Sequence, residues 1–513
     1  MSNLLDRSSI ILSPTAYDNG KVLCVKPSDA SGDFQFSRNS AATRVNAQGL
    51  VEDVQILSGN KVTNGDFSNG STDWIIEAAW TISGGVANGN GANGSAQELI
   101  QNPALITGKT YTITYEVKNY VSGSVKLRKP AGTTRTANGV YTEILLANGL
   151  AIIFRGTNFN GSITNIIAKE ITNDTNLPRI NYEGGCGSWL FEPQSTNLVT
   201  QSETYGSGTF FSFTSGSTID NTTSLSPSGE NNATQITSTG DGKIQSIALT
   251  TLSQNTDYSF SFYAKNVDAT AVTSRVLAIG GSGGSNLTAI SYVSELSTEN
   301  WVRITHYFNT GTNTTFYLFM SNALNSGGTI QLWGAQLEQQ TYSTSYIPTS
   351  GTSVTRNQDL CNNGGTGTGL INSTEGVLYA EIAANSDDLT GRVISLSDGT
   401  SNERIVLSYN NSTNKIRCFI KSGGSFFATL DKVVADEKQF HKVAYKYKSG
   451  ETKLFVDGNL VDTSTDAFTI TGLDVLQFAN GTTTTQPFFG KTKCLAVWKE
   501  TLSDEELAEL TTI

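Results

Sequence analysis

The sequence predicts an all-β, multi-domain chain built from tandem β-sandwiches, and three observations lead there. The composition suits short strands joined by polar turns: Gly reaches 50 copies against 9 Pro and only 15% of residues are charged. With 37% hydrophobic and 9% aromatic residues there is still enough apolar surface for packed cores. Two stretches, Tyr111-Thr-Ile-Thr-Tyr-Glu-Val-Lys-Asn119 and Tyr258-Ser-Phe-Ser-Phe-Tyr-Ala-Lys-Asn266, match without a gap and open on the period-2 alternation of a half-buried strand. Finally, 513 residues exceed what one core supports and point to three or four domains of ~100–200 residues each.

The first element, residues 1–59, is a short strand around Phe34-Gln-Phe36 followed by an irregular polar connection. Next comes a module at 60–172 that is repeated at 197–349. The copies open alike, Asn60-Lys-Val-Thr63 against Asn197-Leu-Val-Thr200, and share the strand quoted above. They also close alike, Gly161-Ser-Ile-Thr-Asn-Ile-Ile-Ala168 against Gly328-Thr-Ile-Gln-Leu-Trp-Gly-Ala335. Three matches in one order define an internal repeat. A Ser/Thr/Gly/Pro-rich stretch, Tyr342 to Gly351, leads into an expected linker at 350–369.

Residues 370–513 have a strand pattern of their own. His441-Lys-Val-Ala-Tyr-Lys-Tyr-Lys448 alternates strictly, a Ser449-Gly450 turn follows, and Asp457-Gly458 marks another tight turn. The one helix expected is the last segment. There Ser503-Asp-Glu-Glu506 reads as a capping box and Leu507 and Leu510 supply a short apolar side.

Charge and cysteines narrow the function. A formal charge of −11, from 34 Lys plus Arg against 45 Asp plus Glu, argues against nucleic acid and anionic membranes as partners. The five cysteines form no CxxC pair and are expected as free thiols, consistent with synthesis in a reducing cytosol. Residues 1–14 lack the charged and apolar regions of a leader, and no apolar run reaches the ~20 residues of a membrane helix.

Two phrases carry a resemblance. Phe36-Ser-Arg-Asn-Ser-Ala-Ala-Thr-Arg-Val-Asn46 with Gly49-Leu50-Val51-Glu52 is the first; Pro178-Arg-Ile-Asn-Tyr-Glu-Gly-Gly185 with Leu190-Phe-Glu-Pro-Gln-Ser-Thr-Asn197 is the second. Together they resemble a segment common in bacteriophage tail, fibre and head-appendage proteins, where the two phrases are nearly continuous. Their separation here implies that 60–172 is inserted into a loop of an N-terminal element, continued by 173–196, that attaches to the virion.

The repeats resemble carbohydrate-binding-module jelly rolls, with Ile330 to Glu338, Thr344 to Pro348 and Thr355-Arg356-Asn357 as the last strand and exit. The C-terminal part resembles concanavalin A-like or laminin-G-like sandwiches through His441 to Tyr445, Leu454 to Gly458, Phe489-Gly490 and Leu502 to Glu506. The resemblance implies a structural protein of the virion surface, made in the host cytoplasm and homotrimeric. Its partners would be other virion proteins and host-surface polysaccharide. The alternatives are a virion-associated depolymerase and an architectural decoration protein that binds no sugar.

No catalytic constellation emerges, and the expectation is a non-enzyme. His306 and His441 sit singly in alternating strands, and no HExxH or GxSxG occurs. Asp387, Asp388 and Asp398 lie in Asp/Ser/Gly-rich loops that turn chemistry explains. Sugar binding by such modules uses exposed rings, and Trp74, Trp80, Tyr205 and Phe210 are the platform candidates. Trp189, Trp301, Trp333 and Trp498 are assigned to cores. No cofactor is expected. The resemblance allows a structural calcium, for which Asn64-Gly-Asp66 and Asp398-Gly399 offer oxygens, but no EF-hand-like spacing occurs and a turn is the favoured reading of both.

Overall fold

The computed structural model describes residues 2–92, 97–206, 210–213, 217–238, 242–267, 276–281, 286–324, 328–482 and 484–512. Within them the chain is nearly all strand, with two short α-helices, Ser2–Arg7 and Asp504–Thr511. No helix among the described residues is long and apolar enough to cross a membrane.

The first copy is dominated by two long strands, Thr110–Lys129 and Ile152–Asn173, which pair along most of their length and fold over one core containing Trp74, Trp80, Tyr111, Tyr115 and Phe154. The ladder breaks near their middle, where the register shifts between Lys118 and Ser124. Gly123 takes φ +79° there, and a Cβ on it would fall 2.0 Å from the Asn158 carbonyl oxygen, so only glycine lets the strands bend this closely.

The second copy is a sandwich of two five-stranded sheets. One holds Asp257–Asn266 between Thr329–Glu338 and Val302–Asn309. The other centres on Phe316–Leu324. Phe211, Phe260, Phe262 and Leu332 fill the space between them.

The copies share two hydrogen-bond devices. Tyr111 Oη accepts from the Ile106 amide and Tyr258 Oη from the Ser253 amide, both at 3.0 Å and both five residues back. Asn60 Oδ1 accepts from the amides of Val62 and Ala168, and Asn197 Oδ1 from those of Val199 and Leu337. Ala168 is therefore equivalent to Leu337, two residues beyond the Ala335 that the sequence match pairs with it. A slip of two keeps every side chain on its own face, so alternation alone does not detect it.

The N-terminal element does not have a core of its own. Ile10–Leu12 pairs with Gly490–Trp498 in the register Ile10 to Val497, and Ser188–Leu190 pairs with the same strand. Ile10, Leu12, Phe34, Phe36, Trp189 and Phe191 share one core with Leu378, Ile405, Tyr445 and Leu495. The expected 1–59 element with its 173–196 continuation has too few apolar residues to bury one another. They complete the C-terminal sandwich instead.

Residues 350–369 are likewise not a free linker. Val354–Arg356 pairs with Ser195–Asn197, and Leu360–Asn362 pairs with Phe34–Ser37. Ile56–Leu57 pairs with the end of Ile152–Asn173. Each copy of the repeat thus leaves and rejoins a single composite domain through a pair of adjacent strands.

The C-terminal helix carries the capping box. Ser503 Oγ accepts from the Glu506 amide at 3.2 Å and Glu506 Oε2 from the Ser503 amide at 2.8 Å. Leu507 and Leu510 pack with Trp498 and with Leu4 of the N-terminal helix, and Trp498 Nε1 donates to the Leu4 carbonyl at 2.9 Å.

Candidate functional site: an aromatic shelf on the C-terminal sheet

The two strongly recognisable phrases turn out to be structural. They bring Arg38, Arg179 and Glu192 together with Arg356 and Asp359 in a buried ionic knot. Arg38 Nη1 reaches Asp359 Oδ1 at 2.9 Å, Arg179 Nη1 reaches Glu192 Oε2 at 2.7 Å, and Arg179 Nη2 binds Asp359 Oδ2. Arg356 Nη2 adds a contact to Glu192 at 3.4 Å. Burial works against the charge on Glu192, yet Arg356 and Arg179 hold its carboxyl well below the usual range. Burial similarly opposes Asp359, and Arg179 and Arg38 prevail. Three cations engage both carboxylates, so neither is free to act as an acid or base; the knot ties the composite domain together.

A second buried group titrates in the opposite sense. Burial raises Glu203 to about 7, its Tyr346 hydrogen bond opposing and Asp53 adding to the rise. Burial raises Asp53 to about 6. A carboxyl whose folded pKa is raised stabilises fully below its ordinary range, and that contribution fades as pH climbs through the folded value. The melting temperature should therefore fall from about pH 4 to about pH 7 through these two groups. Replacing Glu203 by Gln should at least halve the fall; an unchanged slope in a calorimetric pH series would remove Glu203 as its source.

The four platform candidates from the sequence are core residues. Trp74 stacks obliquely on Phe67 with centroids 5.2 Å apart and donates Nε1–H to the Asn64 carbonyl at 3.0 Å. Trp80 lies against Phe159, and Phe210 and Phe211 meet edge to face at 5.1 Å. Tyr205 is fully buried, donating to the Ser202 carbonyl and accepting from the Ala335 amide. Large rings next to Gly- and Ser-rich loops look exposed in a sequence, but a small sandwich uses them to close its open ends. Trp189, Trp333 and Trp498 are buried as assigned, and Trp301 is half-buried.

The calcium oxygens are spent on turns. Asp66 Oδ1 accepts from the Ser68 amide and hydroxyl, and Asp398 Oδ1 from those of Thr400. Among the described residues no three His, Cys, Asp or Glu side chains converge, so neither segment fits as a carboxylate-rich ion site. His306 Nε2 lies 3.0 Å from the Thr288 hydroxyl, and His441 bridges Asp457 Oδ2 at 2.7 Å and the Asp436 carbonyl at 3.1 Å.

Among the described residues only two aromatic rings are strongly exposed, Tyr307 at 52% and Phe426 at 63%. Phe426 borders a concavity of about 370 Å³ on the outer face of the C-terminal sheet. That sheet runs Ser425–Val433, Lys415–Ser422, Arg404–Tyr409, Arg392–Ser397, Val475–Gln477. Ile416, Cys418 and Ile420 point into the core, which sends Arg417 and Phe419 outward.

Phe419 and Phe426 meet edge to face at 5.1 Å. The Arg404 guanidinium lies 5.6 Å from the Phe419 ring and Lys421 Nζ lies 5.4 Å from the Phe426 ring. Around them stand Asn410, Asn480, Gln486 and Arg417, whose Nε and Nη2 grip Asp431 at 2.7 and 2.8 Å. Two groups there are buried with no hydrogen-bond partner, Arg404 Nε and Asn480 Oδ1. A donor and an acceptor beside an open ring suit a flat polyhydroxylated ligand.

Sequence reasoning missed this shelf. The usable signal was Phe426-Phe427, adjacent after the Gly423-Gly424 turn: alternation forces one of two neighbouring strand residues outward. Phe427 packs against the core and Phe426 is left outside.

Comparison with known proteins places the fold of this part. A family model described as concanavalin A-like lectin/glucanases superfamily, a laminin-G type, matches residues 366–508. Among solved structures the chain is similar to the CBM40 domain of the Ruminococcus gnavus IT-sialidase bound to α2,3-sialyllactose, at 24% identity over 27% of this chain and 83% of that one, TM-score 0.24. It is also similar to the CBM22-1 xylan-binding domain of Paenibacillus barcinonensis Xyn10C, at 12% identity over 29% and 94%, TM-score 0.22. A third is the native heptameric SAP-like pentraxin of Limulus polyphemus, at 14% identity over 27% and 70%, TM-score 0.22. Among curated proteins no relative matches.

Proposed function

We propose that this protein is a non-catalytic glycan-binding protein whose C-terminal sandwich receives saccharide on the Phe419–Phe426 shelf. The observation that carries the reading is the Phe426 ring, exposed beside a 370 Å³ concavity that holds an unpartnered Arg404 N–H and Asn480 oxygen. The C–H face of a pyranose stacks on the ring while its hydroxyls take up those two groups, which otherwise carry a desolvation cost of ~1–3 kcal/mol each. The lectin/glucanase description of the matching family supports the choice of sugar over other flat ligands.

The display role is supported by the Phe36–Glu52 and Pro178–Asn197 phrases, which resemble those of phage appendage proteins. In this reading the composite domain sits on the virion surface, as a trimer, and contacts host polysaccharide. Binding without hydrolysis is supported by the engagement of two loop carboxylates: Asp388 Oδ1 accepts from Arg392 at 2.7 Å and Asp398 Oδ1 caps Thr400.

Affinity electrophoresis through gels cast with bacterial polysaccharides tests both parts. Retardation on at least one polysaccharide is expected, without release of reducing ends. Phe426→Ala should weaken it about tenfold, the loss of ~1–2 kcal/mol of stacking, at an unchanged melting temperature. Equal retardation of the variant would move the site elsewhere. Release of reducing ends would make the protein a depolymerase, and silence across the panel would favour an architectural role.

A further inference from the structure

The chain holds eleven Asn-Gly pairs, ten of them among the described residues. An asparagine in such a pair can close on the next amide nitrogen, because glycine has no Cβ to shield it. Closure in the folded protein needs both partners free, the side-chain carboxamide and the glycine amide.

Nine of the ten pairs are held. In five the glycine amide is already donated: Gly20 to the Asn176 carbonyl, Gly70 to Phe67, Gly91 to Phe159, Gly364 to Leu476 and Gly481 to Ser395 Oγ, all at 2.8–3.1 Å. In three the asparagine side chain is tied. Asn64 Nδ2 donates to the Gly70 and Thr72 carbonyls at 2.9 and 2.8 Å. Asn88 Oδ1 accepts from Ser162 Oγ, and Asn138 Oδ1 from the Tyr120 amide, both at 2.8 Å. In the ninth pair Gly161 is buried in the strand ladder opposite Gly89.

Asn148-Gly149 is the exception. It lies in the turn between the strands Gly139–Leu146 and Ile152–Asn173. That turn is clamped at both ends. The Ala147 amide donates to the Lys109 carbonyl at 2.9 Å, and the Leu150 carbonyl accepts from the amides of Ala104 and Leu105 at 2.8 and 2.9 Å. Between the clamps Asn148 is exposed, and neither its carboxamide nor the Gly149 amide makes a hydrogen bond among the described residues. Among the ten, this pair alone can turn its amide nitrogen onto the side-chain carbon without first breaking a bond to the fold.

We propose that Asn148 is a site of spontaneous deamidation that the fold singles out. The Gly149 nitrogen gives its proton to solvent base and bonds to Asn148 Cγ, and the side-chain nitrogen leaves as ammonia. Water then opens the cyclic imide at either carbonyl, leaving aspartate or isoaspartate at position 148. The balance is one water consumed and one ammonia released, so no oxidant, metal or partner is required. The product carries one more negative charge than the −11 of the parent chain.

Incubating the full chain in heavy-oxygen water at mildly alkaline pH, then digesting it in ordinary water for peptide mass spectrometry, tests this. The Asn148 peptide should convert to aspartate and isoaspartate forms that carry one heavy oxygen. Its rate should exceed that of each held pair by roughly tenfold or more, because those pairs must first open locally. Gly149→Ala should slow the conversion about tenfold by shielding the nitrogen. The melting temperature should not move, since the added Cβ would meet nothing nearer than Lys129 Nζ at 3.9 Å. In strong urea, where no fold protects any pair, the rates should draw together. Asn148 reacting no faster than the held pairs, or products without heavy oxygen, would overturn the proposal. So would undiminished conversion in a folded Gly149→Ala protein, or the same ranking of sites in urea.

Discussion

Replacing Asp359 by Ala should lower the melting transition of the composite domain by roughly 10 °C or more, through a loss of ~3–5 kcal/mol. The carboxylate accepts from Arg38, Arg179 and the Glu192 amide, and all of these groups are buried. Without it three guanidinium groups face Glu192 alone, with no route to water. The two repeat copies have cores of their own, so their transitions should stay in place. Differential scanning calorimetry separates the outcomes: a selective shift supports the knot as the tie of the composite domain, and an unmoved profile removes it from that role. Asp359→Asn, which keeps an acceptor and loses the charge, should fall between the two.

Cutting the chain at residue 366 should have an even larger effect. The fragment 366–513 spans the whole family match, yet its core lacks Ile10, Leu12, Phe34, Phe36, Trp189 and Phe191. At ~1.5–3 kcal/mol for each buried side chain, the deficit is as large as the whole ~5–15 kcal/mol that holds a typical domain folded. It also bares the edge of Gly490–Trp498 that Ile10–Leu12 and Ser188–Leu190 cover, an unpaired edge that invites aggregation. The fragment should be insoluble or lack a cooperative transition, and co-expression with 1–365 should rescue it. A soluble fragment melting cooperatively near the temperature of the full chain would refute the shared core.

These results mark how far the sequence could be read. Alternation around Tyr111, Tyr258 and His441 placed strands where they form, and the Ser503–Glu506 box placed the last helix, because both are local signals. Pairing across distance was not legible. Ile10 meets Val497 and Arg38 meets Asp359, separations that leave no periodicity to detect. The conspicuous phrases therefore gave no sign that they form the joint of one domain. Exposure was the other blind spot. Trp74 and Tyr205 lie next to polar loops yet close their cores, whereas Phe426 is exposed because Phe427 takes the inward position beside it.

The most direct test of the account is a structure of the full chain with an oligosaccharide that it retains in affinity gels. The prediction is a sugar ring stacked on Phe426, with hydroxyls within hydrogen-bond reach of Arg404 Nε and Asn480 Oδ1. Saccharide bound only on the repeat copies, with the shelf bare, would contradict it.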